Sequence, residues 1–173
     1  MRLSTRDVAL FGILGGATFA AKMVMMGLPN IEPTSLMVML FGVCFGKKAA
    51  DPVYVYVLLE ILINGMNLWS INYLYVWIIL AWAAWMLREM THPLGWAVLS
   101  GGFGLLFGLL CAIPYLFIGL PGGGSAGGLA TAFTWWIAGI PWDIVHGVAN
   151  FLLMLVLYHP VRKVMQKVER VIE

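Results

Sequence analysis

Residues 139–163 read GIPWDIVHGVANFLLMLVLYHPVRK, an apolar run that holds an acid, an imidazole and an amide and ends on a basic tail. Asp143, His146 and Asn150 fall at i, i+3 and i+7, a spacing that stacks them on one stripe of a helix. A charge at mid-depth in hydrocarbon costs roughly 2.5–3.5 kcal/mol on insertion scales, so this stripe has to face protein or a watery cavity. What it faces decides how the chain is read.

Of the 173 residues, 62% are hydrophobic and only 10% charged, and the mean hydropathy is +0.92. Soluble domains carry about 25% charge, so the chain reads as an all-α integral membrane protein. It is expected to form a single domain over 1–173, placed in the plasma membrane as a multi-pass protein. The lipid bilayer is its surroundings, and nucleic acid is not expected as a partner. Cys44 and Cys111 sit in apolar runs without a partner motif and read as small buried hydrophobes. The alternative is a Cys111 thiol that reaches a ligand. The run after Arg6 leads into Lys22 without a small-x-small cleavage site and reads as a first span rather than a cleaved signal.

Six transmembrane helices are expected. The first covers about Thr5–Met26, with Gly12, Gly16 and Ala20 four apart, a small-residue ridge that lets another helix approach closely. Either an external partner or the protein's own helices could use it. LPNIEP (28–33) breaks the helix and brings Glu32 to the end that carries Lys22. The second span, about Thr34–Phe45, and the third, about Asp51–Asn64 with Glu60, are short for a bilayer crossing of about 20 residues. The stretch NGMNLWSINYLYVW (64–77) interleaves Asn64, Asn67 and Asn72 with Trp69, Tyr73, Tyr75 and Trp77. Aromatic residues collect at membrane interfaces for their own sake, yet amides among aromatics also suit a flat, hydrogen-bonding ligand.

The fourth span ends near Leu87. The fifth, Leu94 to about Ile118, contains Gly101, Gly102, Gly104 and Gly108 for tight helix contact and Pro114 for a kink. GLPGGGSAGG (119–128) is either a lid or a linker. The sixth carries Trp135, Trp136, Asp143, His146 and Asn150 down to Tyr158. Beyond Pro160, a short amphipathic cytoplasmic tail (160–173) has Val161, Val164, Val168 and Val171 on one face, as an interfacial helix or a splayed end of the last span. With both termini inside, nine of the ten Lys and Arg residues fall on the cytoplasmic side, the exception being Lys22. That agrees with the positive-inside rule.

The polar groups left at the outer end are Lys22, Glu32, Glu60, Asn64, Asn67, Asn72, Asp143 and His146, with Trp69, Tyr73, Trp77, Trp135 and Trp136 beside them. Together they read as a ligand pocket with aromatic walls. The competing reading is that Lys22 pairs with Glu60 or Asp143 only to hold helices together.

Six short spans, LPNIEP, FGKK (45–48), YLYVW (73–77) and the 139–163 stretch together resemble the substrate-binding S component of an energy-coupling factor (ECF) vitamin transporter, over essentially the whole chain. The resemblance implies a small-molecule vitamin or vitamin precursor bound from outside. It also implies a membrane-embedded T component and two cytoplasmic ATPases as partners, with Gly12, Gly16 and Ala20 as the docking face. By the same resemblance the substrate is a cobalamin-type vitamin or its benzimidazole-containing precursor, then a pyridoxine-like or other aromatic vitamin. No cofactor and no metal site are expected, and Arg2 stands where metal-uptake relatives carry a histidine. The chain has no P-loop sequence, so ATP hydrolysis would come from the partners and the chain itself is not expected to be an enzyme. Two other readings are a small intramembrane enzyme using Asp143 and His146 as an acid/base pair, and a solitary vitamin transporter without an ATPase module.

Overall fold

A computed structural model of the chain describes residues 4–118 and 124–172. These residues form α1 (Thr5–Val24), α2 (Thr34–Phe45), α3 (Ala50–Asn64), α4 (Leu68–Met86), α5 (Pro93–Cys111), α6 (Tyr115–Ile118) and α7 (Gly124–Ile172), with no strand among them. A 3-10 turn, Gly46–Ala49, links α2 to α3. Four segments are long and apolar enough to cross a membrane: Thr5–Val24, Leu68–Met86, Pro93–Ile118 and Gly127–Val171. The 12 residues of α2 and the 15 of α3 are too few for an upright crossing. α2 lies in the middle of the bundle, with Val38, Met39, Leu40 and Phe41 at 0% exposure.

Side-chain chemistry sets the helix starts. Ser4 Oγ accepts from the Asp7 amide at 3.1 Å while the Asp7 carboxylate accepts from the Ser4 amide at 3.2 Å, a reciprocal cap on α1. Asn67 Oδ1 accepts from the amides of Trp69 and Ser70 to open α4. His92 Nδ1 accepts from the Leu94 amide ahead of α5, whose first residue is Pro93.

Contacts between helix ends fix their directions. At one end, Lys48 pairs with Asp7 at 3.1 Å, and Arg6 Nη1 donates to the Val171 carbonyl at 3.2 Å. At the other, Lys22 pairs with Glu60 at 3.0 Å. The long helices therefore run back and forth between an end that gathers Arg6 and Lys48 and an end that carries Lys22, Glu32 and Glu60.

The glycines of α5 make its packing on α7 possible. A Cβ at Gly104 would lie 2.7 Å from Gly147 Cα, and one at Gly101 would lie 3.2 Å from the Gly147 carbonyl oxygen. A Cβ at Gly108 would overlap the Asp143 carboxylate. Gly102 faces open space, so three of the four expected glycines serve this contact. The fifth span covers Pro93–Ile118 and is interrupted at 112–114, at the expected Pro114, where α5 gives way to α6. The Gly-rich stretch expected to be a lid or linker lies outside the described residues up to 123, as does Arg2, and from Gly124 it belongs to α7.

The last span and the tail are one helix. α7 continues through Pro141 and Pro160 for 49 residues. Beyond Pro160 its inward stripe is Val161, Met165 and Val168, whereas Val164 and Val171 are 59% and 45% exposed. The expected four-valine face is thus replaced by a stripe centred on Met165, which packs on the core instead of lying apart from it.

Candidate functional site

Lys22 closes α1 among groups from three other segments. Its Nζ lies 3.0 Å from Glu60 Oε1 and 3.7 Å from Glu32 Oε2. It also donates to Tyr73 Oη at 3.0 Å and to Tyr56 Oη at 3.4 Å, and sits 4.9 Å from the centre of the Tyr73 ring. The Glu60 contact is off hydrogen-bond alignment, so Oε1 has ion-pair attraction but no directed donor. Asn64 Nδ2 donates to the other oxygen, Oε2, at 2.9 Å. Burial pushes the Glu32 carboxyl above the ordinary glutamate range; Lys22 opposes that shift and Glu60 adds to it.

This cluster lines a cavity of about 350 Å³ reached also by Asn30, Asn67, Trp69, Ser70, Phe107 and His146. Gly65, at φ +78°, ends α3 in a conformation that favours glycine and turns the chain toward the Asn67 cap. A second hollow of about 460 Å³ lies alongside and is walled by Trp135, Trp142, Gly139 and Asp143. Asn30, Trp69 and Phe107 border both hollows. The partition is aromatic: Trp69 and Trp135 lie 5.9 Å apart between ring centres, Tyr115 stacks on Trp135 at 4.9 Å, and Phe107 meets His146 edge-on at 4.8 Å.

The stripe of α7 divides among three surroundings. Asp143 borders the second hollow, and its Oδ1 accepts from the Gly108 amide at 2.9 Å while Oδ2 has no protein partner. His146 borders the first hollow with neither ring nitrogen bonded to protein. Asn150 lies deeper, where Nδ2 donates to Ser35 Oγ at 2.9 Å and to the Ser100 carbonyl at 3.4 Å. Asp143 and His146 share no hydrogen bond and border different hollows.

Of the residues singled out from the sequence, Lys22, Glu32, Glu60, Asn64, Asn67, Trp69, Tyr73 and His146 line the first hollow, and Trp69, Trp135 and Asp143 the second. Asn67 spends its amide on capping α4 and on the Gly65 carbonyl. Three residues lie outside both linings. Asn72 is buried with its Oδ1 3.1 Å from the Tyr75 hydroxyl, whose single proton has the Leu110 carbonyl as its nearer acceptor at 2.7 Å. Trp77 is fully buried, edge-on to Tyr73 and Tyr56, where it supports the first hollow from behind. Trp136 packs on Phe133. Lys22 pairs with Glu32 and Glu60 and not with Asp143.

Asn30, Phe107 and Trp142 border the hollows and were not expected there. Asn30 sits at φ +59° inside LPNIEP, and Trp142 directly precedes Asp143, so both had a local signal. Phe107 had none. Cys111 is buried and borders neither hollow. Among the described residues, no three of the His, Cys, Asp and Glu side chains gather to hold a metal ion.

Gly12 and Gly16 have nothing within 4 Å of the place a Cβ would take, while one at Gly15, between them, would lie 2.6 Å from Val55. Ala20 is exposed. The small-residue ridge therefore points away from the bundle, and the adjacent Gly15 makes the contact with α3. No protein-family model, curated protein or solved structure matches the chain.

Proposed function

We propose that this chain is a membrane-embedded binding protein for a small aromatic nutrient, acting as the S component of an ECF-type vitamin transporter. In this reading it has six spans, with α2 and α3 completing the four long ones, and both termini lie in the cytoplasm beside the basic end. The observation that carries the reading is the pair of aromatic-walled hollows at the end opposite those basic residues, with Lys22, Glu32 and Glu60 gathered in one of them. Ligand sites are concave and largely apolar, with a few convergent polar groups, and occupy about 300–1,000 Å³. The size of the hollows favours a one- or two-ring molecule, such as a benzimidazole-containing precursor or a pyridoxine-like vitamin, over a whole corrinoid.

The outward Gly12, Gly16 and Ala20 ridge supports docking of a T component that brings two ATPases. The test is to purify the full chain in detergent after expression with and without its candidate partners. A bound aromatic molecule, identified by mass spectrometry at near one-to-one ratio, is expected in both cases. Absence of any small molecule, together with no binding of added aromatic vitamins, would overturn the proposal.

A further inference from the structure

We propose that the ligand of these hollows is a flat heteroaromatic compound whose polar edge is cationic or rich in N–H donors, and that molecules carrying a carboxylate or phosphate are excluded. The inference rests on the binding reading above and adds the charge class of the molecule bound.

It follows from which groups in the walls are already committed. The cation Lys22 is held between two carboxylates, at 3.0 Å from Glu60 and 3.7 Å from Glu32, and its remaining donors point to Tyr56 and Tyr73. It has no free charge to offer an anion. The amide of Asn64 is committed to Glu60 and that of Asn67 to capping. Counted formally with neutral His146, Lys22 contributes +1 and Glu32, Glu60 and Asp143 contribute −3, which leaves −2 across the two hollows. Glu60 Oε1 and Asp143 Oδ2 are buried acceptors with no directed donor from the protein, and neutral His146 adds one free ring N–H and one free acceptor nitrogen, which leaves acceptors in the majority. A buried acceptor without a donor is costly, and an N–H or cationic edge on the ligand would supply it.

The aromatic walls point the same way. Trp69, Trp135 and Phe107 border the hollows, and a ring face turned to the ligand attracts a cation and repels an anion through its negative quadrupole. A flat ring filling the space beside them would keep its charged edge toward the acidic groups.

The test uses one ring at three charges: 5-aminomethylbenzimidazole, benzimidazole and benzimidazole-5-carboxylate, added to the purified full chain and followed by tryptophan fluorescence and calorimetry. The expected order is amine, then neutral ring, then carboxylate, with the carboxylate at least about 100-fold weaker than the amine because like charges placed together in a buried site repel strongly. The Glu32→Gln variant, altered in a loop, and the Glu60→Gln variant should each narrow that ratio by about tenfold or more. Equal or tighter binding of the carboxylate would overturn the charge assignment, as would an anionic aromatic compound co-purifying with the chain; either result leaves the nutrient-binding reading intact. If none of the three probes binds and nothing co-purifies, both readings fall.

Discussion

The Gly108 amide donates to Asp143 Oδ1 at 2.9 Å across the contact between α5 and α7, and the space a side chain at 108 would need is filled by that carboxylate. Helix packing and the floor of the second hollow are therefore one feature. Gly108→Ala should displace Asp143 and destabilise the protein by about 1–3 kcal/mol, as overpacking usually does. Asp143→Asn, which keeps an acceptor for the Gly108 amide, should lower ligand affinity with much less effect on the melting of the empty protein. Differential scanning fluorimetry alongside binding measurements checks both; equal stability losses in the two variants would contradict the argument.

Lys22→Met leaves Glu32 and Glu60 without their cation. Breaking a fully buried ion pair from one side costs about 3–5 kcal/mol, and because the Lys22 side chain is 20% exposed at the hollow the loss here should lie at or below the low end of that range. Adding Glu60→Gln to it should recover a large part of the loss, which a double-mutant cycle in detergent would measure.

Trp69 and Trp77 lie two helical turns apart on α4 and have different duties. Trp69 is 49% exposed and borders both hollows, while Trp77 is fully buried behind Tyr73. Trp69→Ala should weaken ligand binding about 10-fold or more and leave the melting temperature nearly unchanged. Trp77→Ala should cost about 3–5 kcal/mol of stability. Thermal melts of the empty proteins separate the two.

Acid should release the ligand. Glu32, with its carboxyl raised by burial, takes up a proton at a higher pH than an ordinary glutamate as the medium is acidified. Lys22, Glu60, Tyr56 and Tyr73 face it or its partners. Protonation removes negative charge from the first hollow, and any protonation of His146 adds positive charge, so both changes weaken a cationic ligand. Affinity measured as a function of pH should fall on acidification with a midpoint above the normal glutamate range, and Glu32→Gln should flatten that part of the curve.

The two neighbours Gly15 and Gly16 give a control for docking. Gly16→Leu projects into open space and should preserve folding and ligand binding while abolishing capture of a T component and its ATPases. Gly15→Leu would run into Val55 and the Pro52 carbonyl oxygen and should unfold or loosen the bundle. Loss of ligand binding in Gly16→Leu would assign the ridge to folding instead.

Much of this arrangement was legible in the residues, and the parts that were not share a cause. Breaks at LPNIEP and at Gly46 placed helix ends to within a few residues, because proline and glycine act locally, whereas the cap by which Asn67 opens α4 was not read from the sequence. The Lys22 cluster was legible because ionisable groups in an apolar chain have few places to go. Which face of α4 looked at the hollow was not legible: Asn72 and Tyr73 are adjacent, yet Tyr73 lines the cavity and Asn72 packs beside Tyr75. On a helix that is apolar nearly all round, periodicity carries little information about direction, and tertiary contact decides it. Phe107 was invisible for the same reason. The tail was misjudged from its valines because Met165, just as able to pack inward, lies on the neighbouring stripe.

The unbroken course of α7 ties the hollows mechanically to the far end of the molecule. From His146 to Ile172 the helix extends roughly 40 Å at about 1.5 Å per residue, so a tilt of about 5° at the ligand swings its tip by roughly 3 Å. That length passes through Pro160 and ends where the Val171 carbonyl accepts from Arg6 of α1, so the last turns of α7 are tied to the first turn of α1.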